Sequence, residues 1–376
     1  VRFLAGTQRA YYAETARHVR EDLGYDGLIS PSNWKTADER LLGAIERWTY
    51  TAGDVIDRHG YFGGRHEGEG AGYSVRVGHR YADAAAVRRP ERLPIQVHQL
   101  AGYPHIISEL GWTNPNRYRA DCTFLSAAYG GLQGLDGMFF FAVGSNFMRD
   151  SSMAKFGLCS PEIAGTFPAA ALVYRRGDVA EGEPALHHRV DVEKLFALGG
   201  SPTAAAEALD ALRQADVPAG QAERPADFNP LAFYVGPVLR SLAKGKAAKA
   251  DAPGNISKWV NVKKKAVRSR DGSLLWRFGE GLVTMDTPKA QGAAGFLGQA
   301  GAIRLGDVTI DCGNEYAAVI VVSLDDKPLA ESRRILVQAM TEERPYGFRA
   351  RDGRIEELGA GPFGVRRIEA SVTLSG

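Results

Sequence analysis

Over the first 150 residues, short and almost wholly apolar runs alternate with segments long enough for helices. Residues 1–24 set Phe3, Tyr11, Tyr12, Ala16 and Val19 near helical spacing, and Gly24 follows a charged last turn as a C-terminal cap would. The run Gly27-Leu28-Ile29-Ser30 comes next and ends in the polar Pro31-Ser32-Asn33-Trp34. Helical spacing returns over 37–50 through Leu41, Leu42, Ile45 and Trp48. A second strand is expected at Asp54-Val55-Ile56-Asp57, ending at Arg58-His59-Gly60-Tyr61. Residues 63–95 are Gly-rich and too irregular for a simple crossover, as functional or mobile loops beside strand ends are. The third strand, Pro104-His105-Ile106-Ile107-Ser108, ends at Glu109-Leu110-Gly111-Trp112. A helix over 117–133 then leads to a fourth strand, Gly137 to Val143.

Strands this short and this apolar are buried on both faces, as parallel strands between helices are. Polar and aromatic residues gather just after each one, where a (β/α)₈ TIM barrel places its active-site loops. Four strands can be counted and a closed barrel needs eight. The expected fold class is therefore α/β, with only the C-terminal half of such a barrel in residues 1–190. A further helix is expected over 161–174. Residues 191–258 read as a helical and linker-like insertion, with a helix at 203–215 and an apolar island at Leu231-Ala232-Phe233-Tyr234-Val235. From 259 to 376 six or more short strands, punctuated by Asp271-Gly272, Asp325-Asp326 and Asp352-Gly353, predict an all-β sandwich domain.

Composition narrows the function classes. The 376 residues are 44% hydrophobic and 24% charged, ordinary for a folded chain of two or three domains. With 46 basic and 44 acidic residues the net charge is +2, too balanced for a protein whose main partner is nucleic acid. The one basic run, Lys263-Lys264-Lys265 with Arg268 and Arg270, reads as a solvated strand end. Cys122, Cys159 and Cys312 show neither metal spacing nor a disulfide framework. No apolar run approaches the ~18 residues of a membrane span. Localisation stays open; secretion or periplasmic export follows if a signal peptide lies upstream of Val1.

The sharpest constellation is Glu109, a carboxylate directly after a buried strand. His59 and Tyr61 end the preceding strand, so either could hydrogen-bond and orient it. Retaining glycosidases need one ionised carboxylate so held, and a second, protonated carboxyl ~5–5.5 Å away. Sugar rings stack on indoles, which makes Trp34 and Trp112 candidates for substrate contact, although packing explains them as well. Phe139-Phe140-Phe141 reads as barrel core.

In order and spacing, Ser30-Pro31-Ser32-Asn33-Trp34, His59-Gly60-Tyr61, Ser108-Glu109-Leu110-Gly111-Trp112 and Leu135 to Phe141 together resemble strands five to eight of clan A glycoside hydrolases. The likeness takes in Tyr129 to Gly134 and covers roughly residues 1–175. It implies a retaining hydrolase of β-linked poly- or oligosaccharides with Glu109 as nucleophile, His59 and Tyr61 supporting it, and Asn33, Trp34 and Trp112 near substrate. It implies no cofactor. The clan's acid/base Glu stands at the end of strand four, expected upstream of Val1 or on a companion chain that completes the barrel. Two rival readings remain. One is a non-catalytic carbohydrate-binding or scaffold protein. The other is a metal-dependent hydrolase using His59, His66, Glu67 and His79.

Overall fold

The computed structural model describes residues 1–34, 38–144, 151–204, 227–243 and 255–375. The leading helix, Arg2–Glu21, buries Ala5 and Ala16 and leaves Phe3 and Leu4 80% and 71% exposed. A π-helical turn, Glu39–Gly43, runs into the helix Ala44–Tyr50, which packs against it.

Residues 27–30 do not form the expected strand. The Asp54 carboxylate takes the Ile29 N–H at 2.8 Å, and Pro31 has no N–H to offer a ladder. What remains of the pairing is the Ile29 carbonyl, which accepts from the Asp54 and Val55 amides. The other three runs pair in parallel: Ile56–Asp57 and Gly60–Phe62 along one side of His105–Trp112, and Gly137–Phe140 along the other. These strands close no barrel among the described residues.

One face of this sheet is covered. Ile107 and Leu110 share a core with Phe124, Leu125 and Ala128 of the helix Cys122–Leu132 and with Val173 of the helix Phe167–Arg176. The other face is open. Phe140 packs on Phe167 beneath the sheet, but Phe139 and Phe141 are 58% and 38% exposed, so the triplet is not the closed core expected of it.

Two segments read as irregular carry order. His98–Leu100, Val238–Ala243 and Leu186–Asp191 form a parallel sheet with Val238–Ala243 in the middle. That central strand falls within the stretch expected to be linker-like. The apolar island before it is the short helix Pro230–Tyr234, buried in the main core. The helix expected at 203–215 lies for the most part outside the described residues. Within 63–95, Arg65–Glu67 and Arg80–Ala82 make a hairpin, and Arg349–Arg351 with Arg354–Glu357 extend it to four strands.

The tail holds a seven-stranded antiparallel sheet from Val260–Asn261 to Ile335–Thr341. A three-stranded sheet of Ile303–Arg304, Val308–Cys312 and Ala370–Leu374 packs on it through Ile303, Ile310, Val319 and Val321. The tail is not a separate body in its packing. One continuous core runs from Phe62 to Val322, and the Trp276 indole donates to the Val87 carbonyl at 2.7 Å. Arg119, fully buried, joins the two parts by pairing with Glu162 and Glu343.

Candidate functional site

The site is built on an irregularity in the strand His105–Trp112. Between the pairs Asp57↔Ile106 and Gly60↔Leu110 this strand advances four residues while its neighbour advances three. Its register with Gly137–Phe140 shifts over the same stretch. Ile107 and Leu110 therefore both turn into the helix-side core, and Ser108 and Glu109 are carried to the open face together. A bulge of this kind re-aims side chains beside functional sites. The Ser108 amide, out of step with the ladder, donates to the Asp57 carboxylate at 3.0 Å. Burial raises the Asp57 pKa above the ordinary carboxylate value, and its bond from Ser108 opposes that shift.

Two donors meet the Glu109 carboxylate. The Tyr61 hydroxyl donates to Oε2 at 2.5 Å, and Asn33 Nδ2 donates to Oε1 at 3.2 Å and to Ser108 Oγ at 3.1 Å. Neither partner is a carboxylic acid, and both donate a hydrogen to a Glu109 oxygen. Tyr61 is itself fixed by the Phe156 ring, 4.7 Å away.

Asn33 is held from behind. His59 Nδ1–H donates to the Asn33 carbonyl at 2.8 Å. The next carbonyl, Trp34, accepts from the Tyr50 hydroxyl at 2.9 Å and from Arg58. Arg58 pairs in turn with Glu46 at 3.0 Å, beside the buried Arg47–Glu39 pair. The strand end 57–61 thus positions Glu109 twice, directly through Tyr61 and indirectly through the loop carrying Asn33.

The expected site residues divide as follows. Glu109, Tyr61 and Asn33 are in contact, and His59 acts one step behind them. Trp34 is 53% exposed with its ring 5.7 Å from that of His59. Trp112 is the correction. At 1% exposure it packs on Phe62 in the core, because alternation from Glu109 points it to the helix side.

A second cluster joins His66 and His79, two of the metal-site candidates, to a lysine the sequence reading did not single out. Lys155, 9% exposed, sets its ammonium against His66 Nδ1 at 2.9 Å. His66 Nε2 and His79 Nδ1 are 3.1 Å apart, and His79 Nε2 is 3.1 Å from the Glu69 carbonyl. With Lys155 donating to its Nδ1, His66 carries its hydrogen on Nε2 and turns it toward His79 Nδ1. Burial, reinforced by the neighbouring Lys155 charge, pushes His66 down to about 4; burial pushes Lys155 down to about 8. His66 and His79 belong to the metal-site reading, but Lys155 fills the position a third ligand would need. No group of three or more His, Cys, Asp or Glu side chains suited to a metal ion occurs among the described residues. The sequence clue to this cluster was two histidines in a Gly-rich hairpin; nothing nearby pointed to Lys155.

Comparison with family models, with curated proteins and with solved structures returned no match.

Proposed function

We propose that the chain carries the nucleophile half of a retaining glycoside hydrolase acting on a β-linked poly- or oligosaccharide, within a TIM barrel completed by other residues. The observation that carries this reading is the convergence of Tyr61 and Asn33 on Glu109 at the bulge of a parallel strand. A carboxylate so held is fixed in position, and the exposed Trp34 nearby offers an indole face for a sugar ring.

In the first step a Glu109 oxygen attacks the anomeric carbon as the glycosidic C–O bond breaks. A second carboxyl gives its proton to the departing oxygen. Water, deprotonated by that same group, then attacks the anomeric carbon of the ester, and Glu109 leaves as a carboxylate. Tyr61 and Asn33 hold the carboxylate in line throughout, and His59 holds Asn33.

The acid/base is assigned to a segment outside residues 1–376 or to a companion chain. The exposed inner face with Phe139 and Phe141, together with Phe3 and Leu4 of the leading helix, supports such a covering. Burial of apolar area at ~25 cal/mol per Å² would favour it strongly. The alternative, glycan binding without turnover, draws on the fact that both hydrogen-bond partners of Glu109 are neutral side chains. Proton NMR of the first sugar released by the completed protein separates the two. A β-anomer appearing first supports double displacement; an α-anomer first, or no product from a broad panel of β-glycans, rules it out.

A further inference from the structure

Part of the basic run set aside in the sequence, Lys263, Lys264 and Arg268, lines a cleft. It opens at the edge of the seven-stranded sheet, over Val260–Asn261, Ala266–Arg268 and Leu274–Arg277, with a volume of about 850 Å³. Five cations, Lys258, Lys263, Lys264, Arg268 and Arg277, line it against a single acid, Glu280. That is +4 in one cleft of a chain whose total is +2, leaving 41 cations against 43 acids everywhere else. The charge is therefore segregated rather than spread over a solvated face. Glu280 pairs with Arg277 at 2.9 Å, which leaves Lys258, Lys263, Lys264 and Arg268 to carry the +4.

Apolar surface lies between the cations. Val262 is 74% and Leu275 37% exposed, and Trp259 is half-buried at the same wall. Arg270 stacks on the Trp259 ring at 4.7 Å, which fixes the indole and adds another cation at the rim. Spaced cations over an apolar floor suit a chain that alternates C–H surface with anionic groups. Guanidinium recognises carboxylate or sulfate by paired hydrogen bonds, and lysine recognises it as a point charge. Single-stranded nucleic acid fits less well, because it needs a series of rings on which successive bases stack. This cleft has one ring, and Arg270 covers one of its faces.

We propose that this cleft is a binding site for an acidic glycan, a polysaccharide bearing carboxylate or sulfate groups, separate from the Glu109 site. It borrows from the hydrolase reading only the choice of a glycan ligand, and its test does not depend on turnover. Polygalacturonate, a sulfated galactan, a neutral β-glucan and a single-stranded oligonucleotide would each be titrated calorimetrically into the 376-residue chain at about 50 mM and about 300 mM salt. The expected result is binding of the two acidic glycans, weakened about tenfold or more by the higher salt, with no binding of the neutral one. Lys263→Glu with Lys264→Glu should weaken it by a further tenfold or more while leaving the melting temperature unchanged. Should that pair fail to fold, Arg268→Glu on its exposed strand position serves instead. Glu109→Gln should bind as the parent does. Equal binding of the neutral glucan, indifference to charge reversal, preference for the oligonucleotide, or no binding of either acidic glycan would each overturn the proposal. None of these outcomes bears on whether Glu109 is a nucleophile.

Discussion

Tyr61 Oη stands 2.5 Å from Glu109 Oε2, a bond between two neighbouring parallel strands. A hydrogen bond to a charged group contributes ~1.5–3 kcal/mol, or about 10- to 150-fold when it acts on the reacting carboxylate. Tyr61→Phe in the completed protein should lower kcat by that order while the far-UV spectrum and melting temperature stay close to the parent. An unchanged kcat would show that the phenol does not orient the nucleophile.

The bulge makes a separate prediction. Asp57 is the acceptor for the Ser108 amide, and Asp57→Ala leaves a buried N–H unpaired at a cost of ~1–3 kcal/mol. Denaturant unfolding should register that loss, and activity should fall with it as Glu109 drifts. Asp57→Asn keeps an acceptor oxygen and should restore most of both. Equal loss in the two variants would place the role of Asp57 elsewhere.

Two buried groups give stability opposite dependences on pH. Asp121 is fully buried, and burial raises it to about 7, against the opposing Tyr316 hydroxyl and Trp112 indole. The folded chain therefore holds a proton that the unfolded chain releases near 3.8, and stability from this group falls as pH rises from about 4 to about 7. His66 acts the other way. Its folded value of about 4 lies below the ordinary 6.5, so stability present above 6.5 is lost as pH falls toward 4. Urea unfolding across pH 4–7 should show Asp121→Asn removing the first trend and His66→Gln the second. The same slope in parent and variant would dismiss the group concerned.

Phe139 distinguishes an open sheet from a covered one. At 58% exposure, Phe139→Ala in the 376-residue chain should change stability by no more than ~0.5 kcal/mol. In a completed barrel the same change should cost ~3–5 kcal/mol, as for a buried aromatic. A small effect in both would mean that nothing covers this face.

The meeting of Glu109 and Tyr61 was legible because it needs only strand order in a parallel sheet; the bond from Asn33 to Glu109 was not, since Asn33 was expected near substrate. The position of Trp112 was misread, although alternation from Glu109 puts Leu110 and Trp112 on the opposite face. The strand Ala290–Gly295 was not legible, because Ala-Gln-Gly-Ala-Ala-Gly has no strand-forming side chains. Its smallness has a tertiary cause. A Cβ on Gly292 would stand 2.4 Å from the Val319 carbonyl and 3.0 Å from the Phe124 ring of the covering helix. Val238–Ala243 was obscured by the Pro-, Ala- and Lys-rich sequence around it. Its place is set by His98–Leu100 and Leu186–Asp191, distant partners that no local pattern announces.

The central claim is that Glu109 forms a covalent bond to sugar. The completed protein would be incubated with a panel of 2-deoxy-2-fluoro-β-glycosyl fluorides, which slow the second step more than the first, and then digested for peptide mass spectrometry. One fluoroglycosyl group should appear on the peptide containing Glu109, and Glu109→Gln should show neither adduct nor turnover. An adduct on another carboxylate, or full turnover by Glu109→Gln, would contradict the account.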